Sequence, residues 1–228
     1  MNLLKRYKHL LIIPAYAAFY LLGFFWLEDK VTKNYHIIHM PLDDIIPFCE
    51  YFVVPYFLWF LFIAAAVIYF GVFNDNLKEY YQLIFNLGIG MTLFLVISYI
   101  YPNGQDLRPE TFANDNIFTQ MVQYLYSIDT PTNVFPSIHV YNSVAVAIAF
   151  MTCQKLQKHT VIRYGSVVLA VSIVLATMFL KQHSVSDVCC ALVMNVGSYM
   201  LLYRPHKVRS LSLASQKKKK KKEITIWR

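Results

Sequence analysis

Residues 52–73 read FVVPYFLWFLFIAAAVIYFGVF and contain no charged side chain. A helix needs about 20 consecutive apolar residues to cross the hydrocarbon core of a bilayer. The stretch has that length, and the polar segment Asp75–Lys78 follows it directly. It therefore predicts a helix that spans a membrane.

Five other stretches share this apolar character and are separated by polar breaks. The first of them is not expected to be a cleaved signal peptide, because it ends in bulky aromatic residues with no small-residue cleavage site beyond them. The sequence thus predicts an all-α integral membrane protein, a bundle of six transmembrane helices. The predicted spans are Leu10–Leu27, Phe52–Phe73, Leu83–Tyr101, Pro136–Cys153, Tyr164–Leu180 and Val185–Tyr203.

The composition of the 228-residue chain supports the same class. Hydrophobic residues make up 57% and charged residues 15% of the chain, and the mean hydropathy is +0.42. A soluble domain has about 45–50% apolar and about 25% charged residues. The four cysteines form no metal-binding spacing, which argues against structural zinc and against a disulfide-rich secreted scaffold. Disorder of the whole chain is excluded as well.

The distribution of charge predicts the orientation in the membrane. With the N-terminus inside, all but four of the 21 Lys and Arg residues fall on the inner side, and all but three of the 13 acids fall outside or at the outer helix ends. Cytoplasmic segments carry an excess of Lys and Arg. Both termini are therefore expected in the cytoplasm. A bacterial plasma membrane is the expected location. The four outer cations are Lys30, Lys33, Arg108 and Lys181.

Two domains are predicted, a membrane domain over residues 1–209 and a basic, disordered cytoplasmic tail over residues 210–228. The run Lys217–Lys222 supplies six of the positive charges behind the net charge of +8. Such a run binds anionic lipid headgroups at about 1 kcal/mol per residue near the surface. A solvated tail without a specific partner is an equally good interpretation, and a nucleic acid is not an expected partner.

Polar residues from three distant segments converge at the predicted outer face. They are Tyr101–Pro109 (YPNGQDLRP), Pro136–His139 (PSIH) and Lys181–Asp187 (KQHSVSD). Ionisable groups near a membrane interior are costly, so they tend to be buried against one another and functional. The topology alone therefore predicts a site at the extracytoplasmic face.

The residue types at this site suit phosphoryl transfer. His183 and Asp187 are four residues apart and share one helical face. The carboxylate can hold one imidazole nitrogen and leave the other free to attack, while His139 exchanges protons with the leaving oxygen and with water. Arg108 and Lys181 can neutralise a phosphoryl group.

Other interpretations of these residues stay open. Ser137 follows a proline and can bind an anion at the helix N-terminus or merely cap the helix. Asp187 can simply stabilise a helix N-terminus. The two site histidines with Asp187 can also form an iron site, which ranks lower because metal sites seldom keep two nearby cations. The residues expected to have no catalytic or metal-binding role are His36, His39, His159, Asp43 and Asp44, with both aspartates in a wetted outer loop.

These motifs resemble those of the type 2 phosphatidic acid phosphatase superfamily of membrane lipid phosphatases. That family's pattern is Lys-x6-Arg-Pro, then Pro-Ser-x-His, then Ser-Arg-x5-His-x3-Asp. Arg108-Pro109, Pro136-Ser137-x-His139 and His183-x3-Asp187 match its parts at the family's spacing. The match covers about residues 101–187.

The resemblance implies a six-helix bundle and a reaction that needs no metal or cofactor. It implies that His183 forms a phosphohistidine, that Asp187 orients it and that His139 is the general acid and base. It also implies that Arg108 and Ser137 hold the phosphate of a lipid substrate.

The sequence departs from the family's pattern at two cations. Tyr101 stands where the pattern has Lys, and Ala176 and Thr177 stand where it has Ser-Arg. Lys181, two residues before His183, is expected to replace one of the missing charges. The reduced pattern is similar to that of the branch containing inositol phosphorylceramide synthases.

The expected function is hydrolysis of a lipid phosphate or pyrophosphate, such as phosphatidic acid, diacylglycerol pyrophosphate, phosphatidylglycerophosphate or polyprenyl pyrophosphate. Three alternatives are a phosphotransferase that uses an alcohol instead of water, a non-catalytic binder or small transporter of lipid phosphates, and a phosphatase for soluble substrates.

Overall fold

The computed structural model describes residues 7–31 and 33–204. The N-terminal residues 1–6 and the predicted tail 210–228, with its lysine run, lie outside the described residues. Within the described ranges the protein is mostly helical, as the spans predicted. The helices are α1 (Ile12–Lys30), α2 (Pro41–Ile45), α3 (Val53–Ile68), α4 (Leu77–Ile100), α5 (Ile117–Ile128), α6 (Ile138–Thr152), α7 (Thr160–Phe179) and α8 (Val185–Leu202).

Short elements extend or connect these helices. A 3₁₀ turn, Lys8–Leu11, leads into α1 and another, Glu50–Phe52, leads into α3, while a π-helical turn, Tyr69–Phe73, extends α3. The two-residue strands β1 (His36–Ile37) and β2 (Asn103–Gly104) pair in parallel. This pairing ties the segment after α1 to the segment after α4.

Five of the helices, with their flanking turns, are long and apolar enough to cross a bilayer. They correspond to five of the six predicted spans. The remaining one, Pro136–Cys153, forms α6, which has 15 residues and is therefore about 22 Å long at 1.5 Å per residue. That is shorter than the roughly 30 Å of a bilayer's hydrocarbon core. The fold is that of a helical membrane protein.

Helix α6 lies at the centre of the bundle and packs against α3, α4, α7 and α8. Small buried residues such as Ala145 and Ala149 allow this close packing. Of the glycines, Gly90 of α4 has the nearest neighbour, since an added Cβ would lie 2.0 Å from Cε1 of Tyr141 in α6. Only glycine fits at that position without a shift of the two helices.

The outward faces of the helices are apolar. Leu22 of α1, Val161 of α7 and Val193 of α8 are each more than two-thirds exposed. Large exposed apolar surfaces are rare on soluble monomers but suit contact with lipid. Helix α1 packs mainly on α4, and a cavity separates it from part of α3.

Helices α2 and α5 lie outside the six predicted spans. α5 is amphipathic, with Val122 and Leu125 buried and Tyr124 exposed. Together with the paired strands, both helices lie at the end of the bundle where α4 ends and where α6 and α8 begin. They supply part of the surroundings of the predicted site.

Candidate active site

The turn between α7 and α8 carries His183. Lys181 has a positive φ of 52°, and its N–H donates to Met178 O at 3.0 Å. The N–H groups of Gln182 and His183 both donate to Thr177 O, at 2.9 and 3.0 Å. This is a Schellman arrangement, which commonly ends a helix with a left-handed residue. It reverses the chain tightly and brings the side chains of Gln182 and His183 into the bundle.

Asp187 fixes both the start of α8 and the imidazole of His183. Its Oδ2 accepts the Ser184 N–H at 3.0 Å and lies 3.2 Å from His183 Nδ1. Ser184 is the N-cap of α8 and forms a capping box with Asp187. Asp187 is fully buried and His183 is 7% exposed. Because an ionised carboxylate only accepts hydrogen bonds, this contact places the hydrogen on Nδ1 and leaves Nε2 with its lone pair.

His139 lies in the first turn of α6 and faces His183. Their ring centroids are 5.7 Å apart. The imidazole of His139 packs against two aromatic rings of α3, those of Tyr56 at 4.6 Å and Trp59 at 4.5 Å. Its Nδ1 is buried and has no partner among the described residues. The aromatic rings of α3 hold this imidazole in place beside His183.

Ser137 caps α6, as its position after Pro136 indicated. Its Oγ accepts the Val140 N–H at 3.4 Å, and its own N–H donates to Asp187 O at 3.3 Å. The backbone of the Pro-Ser-x-His motif is thus hydrogen-bonded to the residue that orients His183. The serine is fully buried. Its predicted contact with phosphate stays a prediction.

Arg108 contacts the turn that carries His183 but does not line the cavity. Its Nη2 donates to Gln182 Oε1 at 2.6 Å, its Nη1 donates to Asp129 O at 2.8 Å, and its guanidinium stacks on Tyr126 at 4.5 Å. Its Nε is buried without a partner in the described part of the chain. The predicted cation is therefore present at the site, and its hydrogen bond to Gln182 connects it to the turn that carries His183.

The ammonium group of Lys181 binds backbone carbonyls. Its Nζ donates to Asp43 O at 2.6 Å and to Ile46 O at 2.5 Å, both in or next to α2. These contacts attach α2 to the turn between α7 and α8 and compensate for the unfavourable φ of a non-glycine residue. Whether Lys181 replaces a missing phosphate-binding cation stays a prediction, which the Lys181→Ala variant tests through KM.

The expectation that Asp43 lies in a wetted loop is wrong. Asp43 is 3% exposed, and its carboxylate accepts the N–H of Val185 at 2.8 Å and the N–H of Met40 at 2.7 Å. Val185 begins α8, where free N–H groups attract a carboxylate. Asp44 is exposed and pairs with His39 at 2.9 Å, as a wetted loop predicts.

Asp129 is a further acidic residue at the site, which the sequence did not reveal. It follows α5, and its Oδ2 accepts the Tyr56 hydroxyl hydrogen at 3.1 Å. Burial raises the pKa of Asp129, while the positive charge of Arg108 opposes this shift. Two sequence signals relate to these contacts. They are the amphipathic pattern of α5 and the i, i+3 spacing of Tyr56 and Trp59. Neither of them identifies a partner across the bundle.

A cavity of about 630 Å³ opens between α1 and α3 and reaches the two histidines. Its walls are mostly apolar and include Tyr20 and Phe24 of α1 and Phe60 of α3. At its inner end lie the polar residues Asp129, Asn133, His139, Gln182 and His183. A reactive polar end joined to an apolar channel suits an amphiphilic ligand.

The two positions that lack the family's cations are uncharged, and their side chains lie outside the site. Tyr101 is exposed, and its ring stacks on His36 at 4.5 Å. Ala176 is buried in the apolar core, and Thr177 Oγ1 donates to Val174 O at 2.7 Å within α7. Their side chains therefore supply no contact to an anion.

The described residues contain no group of three or more His, Cys, Asp or Glu side chains that could hold a metal ion. The iron-site alternative therefore has no support from the geometry.

Comparison with known proteins agrees with the geometry. A family model described as the PAP2 superfamily matches residues 79–210, more than half of the chain. No curated protein and no solved structure matches. The matched range contains Arg108, Ser137, His139, His183 and Asp187. The chain therefore belongs to the PAP2 superfamily, the family that its motifs resemble.

Proposed function

We propose that the protein is a membrane lipid phosphatase that hydrolyses a lipid phosphate or pyrophosphate through a phosphohistidine at His183. Membership of the PAP2 superfamily supports phosphatase or phosphotransferase chemistry on lipid phosphates in general. One observation carries the finer proposal. His183, oriented by Asp187 through Nδ1, faces His139 at the inner end of an apolar cavity.

In the first step His183 Nε2 attacks phosphorus. The N–P bond forms as the bond between phosphorus and the leaving oxygen breaks, and His139 gives a proton to that oxygen. The hydrogen bond to Asp187 holds the imidazole in the attacking tautomer and stabilises the positive charge that develops on it. The buried position of Asp187 keeps this contact away from competing water.

In the second step water attacks the phosphorus of the phosphohistidine. His139 takes a proton from the water, the N–P bond breaks, and phosphate leaves with both imidazoles returned to their starting forms. The same group serves first as acid and then as base, which fits a single histidine facing the nucleophile. Transfer to an alcohol in place of water would use the same intermediate.

The charge on the phosphoryl group is met by a few groups. Arg108 supplies the positive charge, Ser137 and the N-terminus of α6 supply donors, and Lys181 lies in the same turn as His183. A helix N-terminus attracts anions through its free N–H groups. The proposed mechanism uses no metal and no cofactor.

The apolar cavity supports a lipid substrate. Its volume of about 630 Å³ lies within the usual range of ligand pockets, about 300–1,000 Å³. An acyl or prenyl chain between α1 and α3 would place the phosphoryl group at the two histidines. We propose that this end of the bundle faces the extracytoplasmic side of a plasma membrane, with the Lys217–Lys222 tail on anionic headgroups inside.

Phosphate release by the purified full-length protein tests the proposal. Phosphatidic acid, diacylglycerol pyrophosphate and polyprenyl pyrophosphate are offered in detergent with a metal chelator, and His183→Ala serves as the control. Release that survives the chelator and disappears in the variant is the expected result. Transfer of a labelled phosphoryl group to an added alcohol, without release, would identify a phosphotransferase. Lipid retention without either reaction would identify a binder.

A further inference from the structure

The amide group of Gln182 has a fixed orientation. Arg108 Nη2 lies 2.6 Å from Gln182 Oε1. A guanidinium only donates hydrogen bonds, so the amide oxygen must face Arg108 and the NH₂ group must point away from it. A flipped amide would set donor against donor. The geometry therefore assigns the oxygen and the nitrogen of this side chain.

The NH₂ group of Gln182 lacks a partner where one is expected. The residue is 2% exposed, and its Nε2 is buried without a hydrogen-bond acceptor in residues 7–31 and 33–204. Buried donors in folded proteins are nearly always paired. Gln182 lines the cavity beside His139 and His183, whereas Arg108 is not among the residues that line it. An acceptor brought by a ligand would complete this site.

We propose that Gln182 binds the substrate's phosphoryl group, with its Nε2 donating to a phosphoryl oxygen while His183 attacks. Arg108 is then a positioning residue that acts through Gln182. The inference rests on the proposed function and specifies how that site holds its substrate. Nothing in the family's motif assigns the position before the nucleophilic histidine to this role.

Gln182 supplies donors that the departures from the family pattern leave missing. Thr177 stands at the arginine position of that pattern, and its hydroxyl is bonded within α7. Its carbonyl oxygen, however, accepts the N–H groups of Gln182 and His183 and sets the turn that carries both side chains. The chain thus has no cation at this position, and Gln182, in the turn that the Thr177 carbonyl sets, supplies a donor in its place.

Arg108 strengthens the proposed contact without touching the substrate. A charge-assisted hydrogen bond to the amide oxygen polarises the amide and makes its N–H groups better donors. The positive charge of Arg108 is thus separated from the phosphoryl group by the side chain of Gln182. In this arrangement the neutral amide of Gln182 donates to the substrate, and Arg108 binds the oxygen of the same amide.

Two variants of Gln182 test the contact. Gln182→Met keeps the approximate volume and removes the donor without adding charge, and Gln182→Glu keeps the acceptor for Arg108 but has no NH₂ group. With phosphatidic acid as substrate, each variant is expected to lower kcat/KM by about 10- to 100-fold, as expected for a lost hydrogen bond to a charged group. Gln105→Glu is the matched control, since Gln105 is also buried with an unpartnered Nε2 but lies away from the cavity.

A binding measurement separates this inference from the proposed function. Orthovanadate, a phosphate analogue, is titrated into wild-type and variant protein by calorimetry, which needs no turnover. Weaker binding in Gln182→Met, by about tenfold, is expected even if no lipid tested is hydrolysed. Unchanged vanadate affinity in Gln182→Met, or no vanadate binding to the wild type at millimolar concentration, would overturn the inference.

A double-mutant cycle tests the role of Arg108. Arg108→Met alone should weaken vanadate binding, and it should weaken it little further once Gln182→Met is present, because the interaction of Arg108 with the anion passes through the glutamine. Fully additive effects would show that Arg108 reaches the anion independently. Thermal unfolding of each variant in detergent confirms that the protein is folded.

Discussion

The imidazole rings of His139 and His183 have centroids 5.7 Å apart, although one begins α6 and the other lies in the turn before α8. Hydrogen bonds of the backbone hold the two segments together, since the Ser137 N–H donates to Asp187 O. The proposed nucleophile and the proposed acid therefore lie next to each other at the inner end of the cavity. The start of α6 and the hydrogen-bonded turn between α7 and α8 set this geometry.

His183→Ala should lower phosphate release from phosphatidic acid by roughly a thousandfold or more, because the nucleophile is lost. Folding should change little, since the imidazole fills the edge of a cavity. Release of phosphate and thermal unfolding in detergent measure the two effects. His39→Ala, which removes an exposed histidine paired with Asp44, is the control. Full activity of His183→Ala would show that the mechanism is wrong.

Asp187→Asn should lower kcat by about 10²- to 10⁴-fold, because an amide no longer fixes the tautomer of His183 or stabilises its positive charge. The melting temperature should fall as well, since the carboxylate also accepts the Ser184 N–H. Single-turnover kinetics with labelled phosphatidic acid measure formation of the phosphohistidine directly. A variant with normal kcat would mean that Asp187 serves only as a helix cap.

Asp129→Asn should raise kcat/KM for phosphatidic acid by up to roughly tenfold, because a nearby negative charge repels the phosphoryl group. Burial raises the pKa of Asp129, and its carboxyl is neutral below that pKa. The kcat/KM of the variant should therefore exceed that of the wild type only as the pH rises through the pKa of the wild-type carboxyl. Asp44→Asn, at an exposed position, should show no such gain at any pH.

Ala64→Trp should raise KM for long-chain phosphatidic acid more than for the dihexanoyl form. Ala64 lies on the cavity wall formed by α3, and a large ring there takes the space of the lipid chain. Ala65→Trp is the matched control, because Ala65 is the exposed neighbour of Ala64 and is not part of that wall. Equal effects of Ala64→Trp on both substrates would place the lipid chain elsewhere.

Gly90→Ala should destabilise the protein by about 1–3 kcal/mol, the usual cost of overpacking. The added Cβ would lie 2.0 Å from Tyr141, so α4 and α6 must separate. Gly197→Ala has open space around the new methyl group and should be neutral or slightly stabilising. Thermal unfolding of both variants in detergent makes the comparison. Equal melting temperatures would show that the two helices adjust without cost.

The sequence predicted the spans well because apolar length is a local property. Five predicted spans correspond to helices long enough to cross a bilayer, and the remaining span, Pro136–Cys153, corresponds to α6. The shortness of α6 was not predicted. The predicted span includes Pro136, Ser137 and Cys153, but Ser137 is the N-cap and Cys153 the C-cap, so the helix itself covers only Ile138–Thr152. Helix α5 was missed because an amphipathic helix has no long apolar run.

The meeting of the candidate site residues was predictable from topology and spacing, since three polar segments had to meet at one end of the bundle. The partners of those residues were not. Asp129, Tyr56 and Gln182 lie at the candidate site through contacts across the bundle, and such contacts depend on helix packing that no single segment encodes. The burial of Asp43 has the same origin, because its partner is the first N–H of α8.

Asp187 orients His183 and also closes the capping box of α8. In a duplicated copy of this protein that had lost its activity, selection for folding alone would therefore retain the aspartate for its helix cap, in which the imidazole of His183 takes no part. When related sequences are compared, an aspartate at this position indicates only that the helix starts in the same way. Under the proposed mechanism, the histidine four residues earlier is the better marker of an active enzyme.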